Sequence, residues 1–430
     1  MTKNIAKIPL KNLKKIPHSQ TLWINELCDT LKAQGRDIIK FGFGESPFSP
    51  PDWVTNTLVK HSNDTRYLPV QGLKTLQEAC KKFHHYFQDL DLSEHETFIA
   101  PGSKLLLYAC QAAFQKASIL IPAPAWVSYH PQAELCGHES IIIHCNAQER
   151  WRVTPKKLEE ACKKAQHPPL LILNYPGNPD GLSYSQDELD ALASVAKKYH
   201  VLVIADEIYN LLDHHHQHPS IAKAYPEGSI ITTGLSKCCG AGGWRLGIAF
   251  VPKALGQDFL HTLKGIASET YSCTSSPIQQ AAITAYQNPE KLNSYFKQQQ
   301  KILNGLGTYI AEELNNNDIQ THPPQGGFYV YPDFTSYKAL FQKHGIHDSN
   351  TLCQRLLQET GVALLPGSAF NQDPTIMTCR LAYVDFDGDH CLNLFQNKKS
   401  ISQKELLKAC PKIKIGINRI QSWLKTLKSN

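Results

Sequence analysis

The apolar positions divide much of the chain into short continuous runs and longer amphipathic stretches. Seven runs have the length and β-branched content of strands, at residues 97–100, 118–121, 140–144, 170–173, 201–205, 229–233 and 247–251. Helical patterns lie between them, including residues 105–115, 155–165 and 186–199. Continuously apolar strands that alternate with helices are typical of a mainly parallel sheet covered on both faces. The sequence therefore predicts an α/β fold with a doubly wound, seven-stranded sheet.

The pattern changes on both sides of this region. Residues 21–32 are amphipathic and precede a short strand and a loop rich in glycine and proline at residues 42–51. Residues 277–315 are largely helical, with a predicted break where Asn288 precedes Pro289. The remainder has the mixed pattern of a smaller α+β unit that ends in a basic helix.

These changes predict the domain organisation. We expect a large domain at residues 51–320, a small C-terminal domain at 321–430, and an N-terminal segment at 1–50 that packs with the small domain. Residues 385–411 lack a clear periodicity, so we predict an irregular excursion there before the last helix.

Composition narrows the class of protein. The net charge of +6 is spread along the chain without a helix-turn-helix pattern, which argues against a nucleic-acid partner. The thirteen cysteines form no C-x-x-C pair and are odd in number, as expected of reduced thiols. No apolar stretch approaches membrane-spanning length, and the N-terminus lacks the apolar run of a secretory signal. We therefore predict a soluble, cytoplasmic protein with no membrane partner.

Candidate chemistry lies where the predicted strands end, because open α/β sheets bind ligands at the carboxyl ends of their strands. Ser103 and Lys104 open a helix after residues 97–100. Free N–H groups there suit a phosphate, although Ser103 could equally be a plain helix cap. Asp206 directly follows residues 201–205. A protonated ring nitrogen would satisfy this carboxylate, but a capping aspartate is equally open.

Three further residues at strand ends could face the same ligand. Lys237 follows the sixth run and precedes a glycine-rich turn, with Arg245 eight residues later. Such a lysine can serve as a covalent amine and the arginine can bind a phosphate, although an ordinary loop lysine has the same setting. Asn178 lies in the turn NYPGNPDG and could point an amide into the site. Trp126 could stack on a flat ring or belong to the core.

Taken in order, the motifs of residues 19–383 resemble those of the class I/II, pyridoxal-phosphate-dependent aminotransferases of fold type I, in particular the aspartate aminotransferases. They are GESPF, Tyr67 five residues before Gly72, the Gly-Ser-Lys at 102–104, PAWVSY, NYPGNPDG, ADEIY, Ser-Lys with an arginine eight residues on, GGFYVYPD, LLPGSAF and RLA. The resemblance implies the fold type I transferase architecture and a transaminase activity.

The resemblance also implies roles in holding pyridoxal 5′-phosphate. Lys237 would form the Schiff base, Asp206 would pair with the ring nitrogen, and Tyr209 and Asn178 would bind the phenolic oxygen. Trp126 would stack on the ring. The phosphate would be bound by Gly102, Ser103, Lys104, Ser236 and Arg245, together with Tyr67 from the other subunit of a homodimer with shared active sites.

The amino acid is expected on the other side of the cofactor. Arg380 would bind its α-carboxylate as a bidentate fork, with Gly44, Asn178 and Trp126 beside it. Lys104 lies where some aspartate aminotransferases bind a distal carboxylate, although its side chain could equally be solvated. We therefore expect aspartate or another dicarboxylic amino acid as donor and a 2-oxo acid such as 2-oxoglutarate as acceptor. A broad or aromatic aminotransferase and a carbon–sulfur or β-lyase remain alternatives.

The chain departs from the family pattern at several positions. Gly234 stands where a serine is usual three residues before the lysine, Asp180 replaces a threonine, and Ser46 replaces a proline. Cys238 and Cys239 follow the lysine, and we expect buried, inert thiols there. The run Asp213 to His218 resembles a metal site, but adjacent histidines point in different directions, so no metal is predicted.

Overall fold

The computed structural model describes residues 13–14, 16, 19–215, 218–396 and 398–429. Its strands are β1 (Ile39–Lys40), β2 (His95–Ala100), β3 (Ser118–Ala123), β4 (Glu139–His144), β5 (Pro169–Asn174), β6 (Leu202–Asp206), β7 (Ser229–Gly234), β8 (Gly247–Pro252), β9 (Tyr329–Val330), β10 (Val362–Ala363), β11 (Leu365–Pro366) and β12 (Cys379–Ala382). Its helices are α1 (Gln20–Ala33), α2 (Asp52–Lys60), α3 (Lys74–Gln88), α4 (Ser103–Ala112), α5 (Tyr129–Cys136), α6 (Pro155–Lys164), α7 (Gln186–Lys198), α8 (Ile221–Ala224), α9 (Gln257–Thr270), α10 (Ser276–Tyr286), α11 (Pro289–Asn315), α12 (Lys338–Lys343), α13 (Ser349–Thr360), α14 (Gly388–Phe395), α15 (Gln403–Ala409) and α16 (Pro411–Ser429).

The central sheet has seven strands in the order β2-β8-β7-β6-β5-β3-β4. Strand β8 runs antiparallel to both of its neighbours, and the other pairs are parallel. The predicted α/β class with a mainly parallel seven-stranded sheet is confirmed, and each predicted strand lies within two residues of an observed one. Every residue of β7 and β8 is buried, as expected of strands covered on both faces.

Because β5, β6 and β7 are parallel, their carboxyl ends meet at one edge of the sheet. Asn174 ends β5 and pairs in register with Asp206, which ends β6. Strand β7 ends at Gly234, which pairs with Gly247 at the start of β8. This register places the polar residues that follow the three strands side by side.

The short strands form two smaller sheets that involve both ends of the chain. Strand β1 pairs with β10 in parallel, and β12 lies between β11 and β9 in an antiparallel sheet. Ile24 and Cys28 of α1 belong to the same apolar cluster as Leu365 of β11 and Phe370. The N-terminal segment therefore packs on residues beyond 350, while the domain boundaries stay a prediction.

The prediction of an irregular excursion at residues 385–411 is wrong, because the described residues of this stretch contain α14 and α15. The Asp387 side chain accepts a hydrogen bond from the His390 N–H and caps α14. Ser402 and Glu405 form a reciprocal capping box at the start of α15. These short polar signals were present in the sequence, but the helices are too short to give a clear period.

Two further properties concern the whole chain. Within the described ranges, no helix is both long and apolar enough to cross a membrane. All thirteen cysteines are free thiols, and only Cys136 and Cys273 are not buried. Two buried pairs lie close together, with Sγ–Sγ distances of 3.4 Å for Cys353 and Cys379 and 3.5 Å for Cys391 and Cys410.

Candidate active site

A cavity of about 290 Å³ lies at the carboxyl edge of the central sheet. It is lined by eleven of the predicted site residues, namely Gly44, Ser103, Lys104, Trp126, Asn178, Asp206, Tyr209, Ser236, Lys237, Arg245 and Arg380. Gly102 packs against one of these residues, whereas Tyr67 lies away from the cavity with 90% of its surface exposed. Residues separated by more than 300 positions in the sequence thus share one cavity.

Lys237 follows β7 and reaches into this cavity. Its Nζ donates a hydrogen bond to the Gly44 carbonyl at 3.0 Å. The same atom lies 5.8 Å from the ring centroid of Tyr209 and 5.7 Å from that of Phe328. In the described residues, Lys237 forms no ion pair with an acidic side chain. The amine is therefore positioned by a carbonyl and two ring faces.

Asp206 is a buried carboxylic acid at the end of β6, with 3% of its surface exposed. Tyr129 donates its hydroxyl to Asp206 Oδ2 at 2.7 Å, and Thr232 Oγ1 lies 3.5 Å from Oδ1. Burial raises the pKa of Asp206 to about 6, against the lowering effect of these hydrogen bonds. A cation in the cavity would stabilise the charged form of this group.

Two further residues position Asp206, and the sequence motifs gave neither of them a role. One is Tyr129, whose hydroxyl reaches the carboxylate, and the other is Asn174, whose side-chain amide donates to the Asp206 carbonyl at 2.8 Å. Asn174 Oδ1 also accepts from the Asn178 N–H at 2.7 Å. Asn174 ends its strand, so the strand-end argument applied to Asp206 could have found it. Tyr129 is the last residue of the motif PAWVSY, but it begins a helix, so the pattern of strand ends does not point to it.

An anion cradle forms where α4 begins. The N-cap of α4 is Gly102, whose φ of 91° favours glycine, and it makes no side-chain capping bond. Arg245 packs against it so closely that a Cβ on Gly102 would lie 2.0 Å from Arg245 Nη2. Arg245 has a positive φ of 56° and donates from Nη1 to the Gly242 carbonyl at 2.8 Å. Helix N–H groups and a guanidinium therefore face the same end of the cavity.

Lys104 adds a further cation to the cavity. Its Nζ lies 4.9 Å from the ring centroid of Trp126, within the range of a cation–π contact. Burial lowers the pKa of Lys104, and the positive charges of Arg245 and Lys237 lower it further. A negatively charged ligand would relieve this repulsion.

Arg380 of β12 is completely buried, and its guanidinium faces the cavity. It donates from Nη1 to Asn178 Oδ1 at 2.9 Å and from Nη2 to the Gly42 carbonyl at 2.6 Å. The guanidinium carbon lies 4.8 Å from the ring centroid of Tyr329. Arg380 makes no ion pair within the described ranges, and its Nε has no hydrogen-bond partner there. A buried guanidinium of this kind is a binding group for a carboxylate.

Two of the departures from the family pattern have structural explanations. Asp180 is buried in an ion pair with Arg152, and its Oδ1 accepts from the Leu182 N–H at 2.8 Å. Its carboxylate therefore closes the turn that carries Asn178. At Gly234, a Cβ would lie 2.6 Å from the Leu246 carbonyl oxygen. The close approach of β8 leaves no room for a serine at that position.

The histidine run is held by structural contacts where it is described. His214 bonds to the carbonyls of Pro324 and Gly327, both at 3.1 Å. His218 lies 3.1 Å from Glu207, and both side chains are buried. His216 and Gln217 lie outside the described residues. Elsewhere in the run and across the described chain, no group of three or more histidine, cysteine or acidic residues could hold a metal ion.

Comparisons with known proteins agree with this architecture. The family model of the aminotransferases of class I and II matches residues 36–383. The chain is 32% identical over 385 residues to an aspartate aminotransferase of Geobacillus stearothermophilus, which covers 87% of this chain and 93% of that protein. It is 29% identical over 385 residues to an aspartate aminotransferase of Bacillus subtilis, with the same coverage.

Similarity also extends to solved structures. The structure of an aspartate aminotransferase from Thermus thermophilus with maleate superimposes with a TM-score of 0.78 at 23% identity. It covers 94% of this chain and 100% of that one. At this identity the likeness concerns the fold.

Proposed function

The chain belongs to the class I and II aminotransferase family, and we propose that it moves an amino group from a dicarboxylic L-amino acid to a 2-oxo acid with pyridoxal 5′-phosphate as cofactor. The observation that carries the proposal is the charge pattern of one cavity. An amine, a buried acid and three further cations, Lys104, Arg245 and Arg380, all line it. We further propose that the protein works in the cytoplasm.

The chemistry of these groups fits the proposed cofactor. Asp206 is a buried acid whose pKa is raised to about 6, so a ring-nitrogen cation would be a suitable partner for it. The start of α4, Ser236 and Arg245 can hold a phosphate, and the close contact of Arg245 with Gly102 fixes that end of the cavity. When bound, pyridoxal 5′-phosphate supplies a ring that accepts electrons from the substrate Cα.

Lys237 is proposed as the catalytic amine. Its Nζ lies between the Gly44 carbonyl and the rings of Tyr209 and Phe328, so its direction is restricted. The same Nζ would take the proton from the substrate Cα and later return it. Because the amine is half-buried, few water molecules compete with it for that proton.

Arg380 and Asn178 would hold the substrate α-carboxylate. The guanidinium is held by the Gly42 carbonyl and by Asn178 Oδ1, so the fork is oriented before substrate binds. Holding the carboxylate fixes the bond from Cα that has to break. Holding the reacting groups in a productive orientation can account for a large part of the rate enhancement of an enzyme.

Lys104 supports the choice of a dicarboxylic substrate. It lines the cavity, and burial together with the neighbouring cations lowers its pKa, so a second carboxylate would stabilise its charge. The similarity to aspartate aminotransferases points the same way. Apolar lining by Leu22, Phe43 and Ile208 favours the competing proposal of a broad or aromatic donor.

An absorbance experiment tests the proposal. The purified protein is loaded with pyridoxal 5′-phosphate, and L-aspartate is added without any 2-oxo acid. We expect conversion of the bound cofactor to pyridoxamine 5′-phosphate. Conversion only with aromatic or neutral amino acids would show that Lys104 does not select a dicarboxylic substrate. Release of pyruvate with ammonia or sulfide would indicate a lyase.

Two variants assign the amine. Lys237→Ala should lose the absorbance of the covalently held cofactor and the conversion. Lys297→Ala, at an exposed position of α11, is the matched control and should retain both. An unchanged spectrum in Lys237→Ala would contradict the proposed role of this lysine.

A further inference from the structure

Tyr329 of β9 lines the cavity between Tyr209 and Arg380, and the sequence motifs gave it no role. Its hydroxyl is 2.9 Å from the hydroxyl of Tyr209. Its ring lies 4.8 Å from the guanidinium carbon of Arg380. We infer that Tyr329 is a positioning residue whose hydroxyl sets the direction of the Tyr209 hydroxyl, an inference that rests on the proposed binding of pyridoxal 5′-phosphate.

The two hydroxyls can bond in either direction, and only one direction leaves the Tyr209 proton free for a ligand. Each hydroxyl has one proton to donate and two lone pairs that accept. Both tyrosines are buried, with 3% of Tyr209 and 1% of Tyr329 exposed. If Tyr329 donates to Tyr209, the Tyr209 proton is free to point into the cavity. The hydrogen bond from Tyr329 then polarises the Tyr209 hydroxyl, which becomes a stronger donor.

The packing around Tyr329 fixes the positions of its ring and its hydroxyl. A Cβ on Gly44 would lie 2.0 Å from the Tyr329 oxygen, so the hydroxyl is in contact with the backbone of that loop. Tyr329 pairs in register with Ala382 of β12, two residues after Arg380. It also packs edge-on against Tyr209, with ring centroids 5.6 Å apart at 80°. Strand pairing and close packing therefore leave the hydroxyl little freedom.

Tyr329 also joins the two halves of the proposed reaction site. Its hydroxyl touches the residue expected to bind the cofactor, and its ring touches the residue expected to bind the substrate carboxylate. These are separate interactions of one side chain. Different substitutions can therefore remove them one at a time.

The first test uses Tyr329→Phe, which keeps the ring and removes the hydroxyl. The protein is loaded with pyridoxal 5′-phosphate, and its absorbance is titrated with pH in the absence of substrate. We expect the pH midpoint of the absorbance change to rise by about half a unit, because Tyr209 becomes a weaker hydrogen-bond donor to the phenolic oxygen of the cofactor. Tyr331→Phe is the matched control, since its hydroxyl bonds to Thr378 at 2.9 Å outside the cavity.

The second test asks whether Tyr329 acts through Tyr209. In a Tyr209→Phe background, Tyr329→Phe should add no further change to the midpoint. An equal change in both backgrounds, or no change in the wild-type background, overturns the inference while leaving the proposed function intact. Absence of cofactor absorbance in the wild-type protein would contradict both.

A third measurement addresses the ring. Tyr329→Leu removes the face that contacts Arg380, whereas Tyr329→Phe retains it. We expect the KM for the amino acid to rise about fivefold in Tyr329→Leu and to stay near the wild-type value in Tyr329→Phe. Equal KM values in the two variants would contradict the contact with Arg380.

Discussion

Asp206 and Arg380 are buried groups of opposite charge that line one cavity, and neither forms an ion pair within the described part of the chain. Neutral hydrogen bonds from Tyr129 and to Asn178 satisfy them in part. Partial satisfaction of buried charge costs folding free energy and is a common property of binding sites. Each group can therefore pair with a ligand group of opposite charge.

The first prediction concerns the pH dependence of stability without added cofactor. The Asp206 carboxyl ionises near its ordinary pKa of 3.8 in the unfolded chain but near 6 in the folded one. Raising the pH from 4 to 6.5 therefore stabilises the unfolded chain relative to the folded one through this group. Asp206→Asn should not lose stability in this way. The free energy of unfolding of the variant minus that of the wild type should therefore rise by about 2 kcal/mol between pH 4 and pH 6.5.

Urea unfolding of both proteins at the two pH values measures this difference. Tyr129→Phe should show a larger loss than wild type, because it removes the hydrogen bond that stabilises the Asp206 carboxylate. A difference between Asp206→Asn and wild type that does not change with pH would contradict the raised pKa.

At the scale of elements, the sequence predicts the strands well because they are continuously apolar, and β7 and β8 are buried along their whole length. It does not predict that β8 runs antiparallel, since an apolar run has no direction. The sequence pattern also fails to predict α14 and α15. These helices are capped by Asp387 and Ser402 and are too short to show a helical period.

The second prediction concerns the pairing of β7 with β8. Gly234→Ser would restore the hydroxyl that the family usually has there. Its Cβ would lie 2.6 Å from the Leu246 carbonyl oxygen, so β8 would have to move. We expect the free energy of unfolding to fall by about 2 kcal/mol with no gain in cofactor affinity.

Gly243→Ser is the matched control, because a Cβ at Gly243 meets nothing within 4 Å. Urea unfolding and cofactor titration measure both effects. Tighter cofactor binding by a stable Gly234→Ser protein would show that the strand pair accommodates the serine.

At the scale of the whole molecule, the candidate site combines residues from distant parts of the chain. Lys237 follows the central sheet, whereas Arg380 lies in the small antiparallel sheet and bonds to Gly42. Asp206 and Lys237 follow predicted parallel strands, so their positions in the sequence already predict that both lie at one edge of the sheet. Only the resemblance brought in Arg380, and hydrogen bonds between hydroxyls, such as that of Tyr209 with Tyr329, leave no trace in a sequence pattern.

The third prediction concerns Tyr67, which is proposed to reach the site of a second subunit. Tyr67 is 90% exposed in the single chain, so Tyr67→Phe should leave chain stability unchanged. In the homodimer that the family resemblance implies, this substitution should weaken cofactor binding about tenfold, because a hydrogen bond to a charged phosphate is lost. Equilibrium titration with pyridoxal 5′-phosphate measures the affinity.

Mixed dimers decide whether the contact crosses between subunits. A dimer of one Tyr67→Phe chain and one Lys237→Ala chain should have one site of wild-type affinity, because that site takes its lysine from the first chain and its tyrosine from the second. If no such site forms, Tyr67 serves the site of its own chain.

The rates at which the cysteines react can report local opening of the structure throughout the molecule. Eleven of the thirteen are buried, and they are spread from α1 to the start of α16. A thiol-alkylating reagent can reach each of these only when the surrounding structure opens, whereas Cys136 and Cys273 are partly accessible from the start. A time course of alkylation read by peptide mass spectrometry would therefore rank the opening free energies of the regions, without any label being introduced. Cys238 and Cys239, beside Lys237, would show how far bound cofactor suppresses opening at the site.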